Sequence, residues 1–205
     1  MLYMIAMVKI RQISRNEIFK VSTIHQQAFE SFFLTQLGSS FLDLYYTALQ
    51  NNSYGILLGL FDDNNNLLAF AASTQKAAGF HLQIIKENIA QFGVIGLKLF
   101  FTRPAALIRL LKNITKKSTP NDNGEYAELL SIGVATNQQR NGYGQQLILK
   151  TEEILRQKGC TRISLTTDSV DNLKAIAFYK NLGYRVLSKF ITYPNREMLR
   201  LIKPL

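Results

Sequence analysis

The sequence predicts a single α/β domain organised on a mixed central sheet. Residues 125–167 read as strand, glycine loop, helix, strand, and a strand returned by a helical crossover runs parallel to the first. Two apolar runs, Tyr54 to Phe61 and Leu67 to Thr74, flank Asp62-Asp63-Asn64-Asn65-Asn66, the turn chemistry of an antiparallel hairpin. At 205 residues and 47% hydrophobic content the chain can bury one substantial core.

Val8 to Ile13 alternates apolar and polar residues and reads as a first strand. Glu17 to Phe33 carries a helical stripe of Ile18, Val21, Ile24, Ala28 and Phe32. Ser39 or Ser40 is positioned to cap a second helix through Phe41, Leu44, Tyr45, Ala48 and Leu49. The hairpin 54–74 follows. In the segment 78–124, Leu82, Ile85, Ile89 and Phe92 make a helical stripe, and Val94 to Leu111 is strongly apolar. Lys98, Arg103, Pro104 and Arg109 interrupt that run before it reaches membrane-spanning length. Pro104 suits the first turn of a further helix, with Arg109, Lys112 and Lys116 near one side, and Lys116 to Gly124 reads as a polar loop.

Beyond this insertion, Glu125 to Val134 is a strand, and Gly142 to Lys158 a helix stopped by Gly159. Arg162 to Thr167 is the next strand. Asp171 is placed to cap a helix from Asn172 to Leu182, which Gly183 ends. Tyr184 to Thr192 and Glu197 to Ile202 are final strands joined through Pro194-Asn195.

The net charge is +10, and much of it is concentrated: Lys76 to Lys117 holds eight basic residues against the single acid Glu87. Such a field favours an anionic ligand, an anionic membrane surface or nucleic acid, against the alternative of a merely solvated basic face. Nucleic acid is the least favoured, since the basic residues lack regularly interleaved aromatics and no nucleic-acid motif is present. One cysteine, Cys160, excludes an internal disulfide and reads as a packing residue of a reducing compartment. Met1 to Val8 has no basic leader or cleavage site, so a cytoplasmic location is expected and the sequon Asn113-Ile114-Thr115 carries no weight. No metal is expected, because Cys, His, Asp and Glu nowhere cluster at ligand spacing, and His25 and His81 read as ordinary packing or surface residues.

The stretch Gln139-Arg140-Asn141-Gly142-Tyr143-Gly144 carries the chemistry. It follows the apolar run Leu129 to Val134 and opens a helix with Leu147, Ile148, Thr151, Ile154 and Leu155 on one face. That order aims unpaired backbone N–H groups and the positive end of a helix dipole at one point, and the glycines keep side chains out of it. No Gly-Lys-Ser/Thr follows, and the third glycine of a dinucleotide fingerprint is missing, so another pyrophosphate-bearing cofactor is implied.

The arrangement resembles the GNAT superfamily of acyl-CoA-dependent N-acyltransferases. The family's phosphate loop, Gln/Arg-x-x-Gly-x-Gly/Ala, is met by Gln139, Gly142 and Gly144. Its second pattern, Asn-x-x-Ala-x-x-x-Tyr-x-x-x-Gly-Phe/Tyr, is met by Asn172, Ala175, Tyr179, Gly183 and Tyr184. Both occur in order over about 125–192. Thr136 stands where many members have proline, Arg140 where glycine is frequent, and Asn141 where a basic residue is common. The resemblance implies a sheet of six or seven strands with helices on both faces and a helical insertion between the third and fourth strands. The whole chain, 1–205, would be one acetyltransferase domain, with the insertion at about 78–124.

It further implies acetyl-CoA as cosubstrate. Its pyrophosphate would lie on the backbone of Gln139, Arg140, Asn141, Gly142, Tyr143, Gly144 and Gln145. Its amide-bearing arm would run as an extra strand beside Ile132, Gly133 and Val134, which requires the parallel strands to splay at the loop end. Asn172 would position the second motif's helix. The reaction is direct attack of a neutral amine on a thioester. Tyr179 is the candidate general acid, since a phenol of pKa about 10 can donate to a thiolate of pKa about 8.5. Glu128 is the candidate base acting through water, with substrate binding or a strand contact as the alternative.

The acceptor is expected to be a small-molecule amine, with an anionic amino sugar suiting the basic insertion; a protein lysine or N-terminus is the alternative. A different class of reading is a non-catalytic cofactor-binding scaffold docking through Phe100, Phe101, Leu107 and Leu110 beside Lys98, Arg103 and Arg109, on membrane or protein. Those apolar residues are read by preference as a roof over the substrate cleft or a dimer contact, so the chain is expected as a monomer or homodimer.

Overall fold

The computed structural model describes residues 8–30, 32–114 and 123–205. Met1 to Met7, Thr115, Lys116, Lys117 and Pro120, which enter the readings above, lie outside the described residues. The described chain forms β1 (Lys9–Gln12), α1 (Ile18–Ala28), α2 (Phe33–Gln36), α3 (Ser39–Asn51), β2 (Gly55–Phe61) and β3 (Leu67–Thr74). The insertion supplies α4 (Phe80–Glu87), α5 (Ile89–Thr102) and α6 (Pro104–Ile114). Then come β4 (Ala127–Val134), α7 (Tyr143–Gln157), β5 (Arg162–Asp168), α8 (Leu173–Asn181), β6 (Arg185–Thr192) and β7 (Arg196–Pro204).

The seven strands form one sheet in the order β1-β2-β3-β4-β5-β7-β6, and only β4 and β5 pair in parallel. Its central strands β2 and β3 are buried on both faces, which is why their sequences read as continuous apolar runs rather than alternating ones. Alternation along β2 sends Leu57 to one core, with Ile13, Val21, Leu42, Tyr46 and Phe70, beneath α1 and α3. It sends Ile56, Leu58 and Leu60 to the other, with Leu147, Ile148, Leu155 and Leu201, beneath α7. Each fully buried Leu, Ile or Phe contributes roughly 1.5–3 kcal/mol of transfer free energy.

Three local expectations are corrected. The helix expected through Phe33 ends at Ala28, and Phe33 opens the short α2 instead. Gly38, at φ +90°, occupies the cap position of α3, so Ser39 is its first helical residue and no serine side chain caps it. Asn172 stands at the cap of α8, while Asp171 before it takes the left-handed φ of +55° and caps nothing.

The feature that positions the site is a bulge. Along β4, Ala72 pairs with Ser131 but Ser73 pairs with Leu129, so Leu130 is an extra residue. A bulge bends its strand and reverses the facing of everything after it. Ala127 and Leu129 lie in the α7-side core, and beyond the bulge it is Ile132 and Val134 that pack there. Pairing of β4 to β5 is limited to Ala127, Glu128 and Leu129, ending at the residue before the bulge. From there the two parallel strands part.

Candidate active site

The splay leaves residues 131–134 paired to β3 but with no ladder partner on the β5 side. That open edge leads to the glycine loop and the N-terminus of α7. No backbone N–H from Gln139 to Gln145 donates to a described residue; the first donor in the helix is Gln146, bonded to the Gly142 carbonyl at 3.1 Å. Seven consecutive donors thus precede or open a four-turn helix, where partial positive charge adds to them. Two residues of the loop are left-handed, Arg140 at φ +69° and Gly142 at φ +75°. A Cβ on Gly142 would meet no atom within 4 Å, so the loop is open on that side. Asn141 folds back to donate to the Gln138 carbonyl at 3.2 Å, a loop-closing role that a basic residue there would not fill in the same way. Gln139, Arg140, Asn141 and Gln145 are exposed, and Tyr143 and Gly144 half-buried.

Gly144 sits where three elements meet: its Cβ position is 3.8–3.9 Å from Phe178, Ile132 and Val134. Gly133 has a different reason for being glycine. A Cβ there would strike the Phe70 ring at 2.7 Å and press on Ile24 at 3.4 Å, on the α1 face. Its lack of a side chain therefore serves helix packing. Asn172 donates to the Thr167 hydroxyl at 2.6 Å, fastening the start of α8 to the end of β5, and makes no side-chain cap bond. These donors, the open strand edge and the empty space fit a pyrophosphate with an extended amide-bearing arm.

The two candidate catalytic residues lie on opposite faces of the sheet. Tyr179 packs on the α7 side against Phe178 and Tyr184, with ring centroids at 5.2 and 5.9 Å, and its hydroxyl bonds to no described residue. Burial pushes its phenol up to about 12, so it holds its proton across the physiological range. Tyr184 of the same motif is structural. Its hydroxyl donates to the buried Glu152 at 2.9 Å, and Lys203 meets the other carboxylate oxygen at 2.6 Å, tying α7 to β7. Nothing marks this triad in the sequence except a charged residue on the apolar stripe of α7.

Glu128 faces the α1/α3 side. Its Oε1 accepts a hydrogen bond from Arg200 Nη1 at 2.8 Å, and the same nitrogen lies 3.3 Å from Ser164 Oγ. Oε2 bonds to no described residue. Sequence reasoning missed Arg200, though strand alternation along Arg196–Pro204 places Arg196 and Arg200 on one face. Arg196 forks onto Asp168 at the end of β5 and lies over the Phe32 ring at 4.6 Å. Arg109 of the insertion lies over Phe33 at 4.9 Å, with its buried Nε lacking a hydrogen-bond partner among the described residues. Burial, then the like charge of Arg196, lower the Arg109 guanidinium from its ordinary value. Lys112 sits over the Tyr193 ring at 4.1 Å. Basic side chains from α6 and β7 thus gather beside the opening, a convergence sequence distance concealed.

Other residues stand apart. His25 is buried among Phe29, Tyr46 and Phe70, with Nδ1 2.6 Å from the Tyr46 hydroxyl. His81 is exposed and stacks on Tyr45. Cys160 is half-buried at the α7–β5 junction, where burial pushes its thiol up, as suits a packing residue rather than a nucleophile. Among the described residues no group of His, Cys, Asp and Glu could hold a metal ion, and no helix is long and apolar enough to cross a membrane.

Residues 20–184 match the family model of the acetyltransferase (GNAT) family. The uncharacterized protein YdhI of Bacillus subtilis is 35% identical over 82 residues, 40% of this chain, and the match spans about half (48%) of YdhI's length. The fold superposes on the ribosomal-protein-S18-alanine N-acetyltransferase of Escherichia coli with a TM-score of 0.62 at 16% identity, covering 97% of this chain and 94% of that one. It also superposes on the PaiA N-acetyltransferase of Thermoplasma acidophilum, solved with coenzyme A, at 0.57 and 14% identity, covering 95% and 98%.

Proposed function

The chain belongs to the acetyltransferase (GNAT) family, an acyl-CoA-dependent N-acetyltransferase, and from that premise we propose that its acceptor is the primary amine of an anionic small molecule, an amino sugar bearing a negative group being the class that fits best. The observation that carries this reading is the open edge of β4 running into seven N–H groups that donate to no described residue, with Arg109 ion-paired to no described carboxylate. Acetyl-CoA, when bound, supplies the acetyl group as an activated thioester. The backbone of Gln139 to Gln145 holds its pyrophosphate, and the 131–134 edge pairs with its amides as an added strand would.

The chain's own residues then divide the proton traffic. Glu128 Oε2, bonded to no described residue while Oε1 is held by Arg200, accepts the amine's proton through a water. Tyr179, on the opposite face, protonates the departing sulfur across the gap between β4 and β5. Arg109 receives the acceptor's anionic group, which offsets the like charge of Arg196, itself paired with Asp168. The reaction takes place in the cytoplasm. A protein amine is the competing acceptor; the Escherichia coli neighbour is named for an alanine of a ribosomal protein, but its likeness is one of fold.

The test is calorimetric titration with acetyl-CoA, followed by an acceptor panel of phosphorylated amino sugars, their neutral counterparts and amine-bearing peptides. Micromolar acetyl-CoA binding with at least tenfold higher kcat/KM for the anionic amino sugars is expected. Equal use of neutral and anionic sugars, or preference for peptides, would overturn the acceptor assignment. No acetyl-CoA binding up to millimolar concentration would overturn the cofactor site.

A further inference from the structure

Helices α5 and α6 divide their apolar residues between two destinations. Phe92, Ile95 and Leu99 of α5 and Leu107 and Leu110 of α6 turn inward onto the core beneath α1 and α3. Val94, Leu97 and Phe101, spaced three and four residues apart, form a second stripe along α5 that faces solvent, with Val94 71% and Phe101 76% exposed. Phe100 and Ile108 extend it, and Phe100 packs edge-on against Phe101 at 5.2 Å. Of the residues read as a roof, Leu107 and Leu110 pack on that core, while Phe100 and Phe101 are exposed. Contiguous exposed apolar surface of this kind marks a docking face.

We propose that this face seats the protein peripherally on an anionic lipid bilayer, an inference independent of the acceptor assignment. Charge selects the occupant. Leaving aside Arg109 and Lys112, which stand at the opening, Lys76 to Ile114 has four basic residues and one acid, and that acid, Glu87, is already bonded to Asn52 and Gln83. Neither α5 nor α6 contains an acidic residue. Lys98 lies within the apolar stripe, one turn from both Val94 and Phe101, where its stem can lie along apolar surface while its ammonium reaches headgroup phosphates. A second copy of the same face would oppose like charges, and a nucleic acid would leave the apolar stripe uncovered. At 14 residues α5 is too short to span a bilayer, so it lies in the interface plane.

The full chain has no tryptophan, which makes Phe101→Trp a clean reporter of insertion. Its emission should shift to the blue with vesicles of phosphatidylcholine containing about a third phosphatidylglycerol, and stay unshifted with phosphatidylcholine alone. Co-sedimentation on the anionic vesicles should weaken at least tenfold when salt is raised well past the screening range. It should also weaken at least tenfold in a Leu97→Ser, Phe101→Ser double variant that keeps the wild-type circular dichroism and acetyl-CoA affinity. Absence of binding to anionic vesicles overturns the proposal. So does binding that the double variant leaves intact, which would locate the contact elsewhere. A dimer in light scattering that the double variant dissolves would assign the face to a second copy instead.

Discussion

Arg200 on β7 donates to the Glu128 carboxylate on β4 at 2.8 Å, across the intervening strand β5. The bond fixes one oxygen of Glu128 and leaves the other for a water or amine. Glu128→Gln keeps the bond to Arg200 through its amide oxygen and removes the proton acceptor. It is expected to lower kcat/KM at least tenfold with acetyl-CoA affinity unchanged by calorimetry. A variant that retains wild-type kcat/KM would remove Glu128 from the role of base.

Burial pushes the Tyr179 phenol up to about 12, so it carries its proton throughout the working range. Because its hydroxyl holds nothing else described in place, Tyr179→Phe should spare the packing against Phe178 and Tyr184. Turnover is expected to fall at least tenfold with acetyl-CoA affinity unchanged by calorimetry. Near-normal turnover would show that the phenol only packs.

The two loop glycines should respond differently. Gly142→Ala puts a side chain on the open side of the loop, at a φ of +75° that costs an L-residue about 1–2 kcal/mol. Acetyl-CoA affinity is expected to drop at least tenfold. Gly144→Ala meets only ordinary contacts at 3.8–3.9 Å, so its melting temperature should stay close to wild type. Equal effects on cofactor binding and stability in both variants would contradict the assignment of Gly142 to the anion site.

Acid should weaken the fold in two separable windows. Burial lowers His25 to about 4, so between that value and the unfolded value of about 6.5 the unfolded chain binds the extra proton. Stability therefore rises with pH through this window and is lost as pH falls through it, by on the order of 3 kcal/mol. Glu17 is held near 2, chiefly by its hydrogen bonds from Arg11, and its contribution persists above about 4.5 and disappears as pH falls toward 2. Urea unfolding across pH should show His25→Phe flattening the upper window and Glu17→Gln the lower. Parallel wild-type slopes in both variants would discard this linkage.

Much of the fold was legible because its signals are local. The alternation of Val8 to Ile13, the acidic turn 62–66, Pro104 at a helix start and the glycine loop each state their conformation within a few residues, and all four stand as read. Gly142 was legible for the same reason: a turn that needs φ above zero writes itself into the sequence as glycine. Arg140 shows the limit, since it holds φ +69° without announcing it, although the family preference for glycine there was the clue.

What the sequence by itself determined is the set of elements and the chemistry of one loop, because propensity, periodicity and turn geometry act over a few residues. Tertiary structure alone decided the bulge at Leu130, which depends on how β4 registers against β3 and has no signature in Leu129-Leu130-Ser131. From that register follow the parting of β4 from β5 and the facing of Ile132, Val134 and Glu128. Tertiary structure alone also decided that Arg200 meets Glu128, that Arg109 comes to lie near Arg196, and that half the apolar residues of α5 face water. These are relations between segments tens of residues apart, set by packing and register, and no local pattern encodes them.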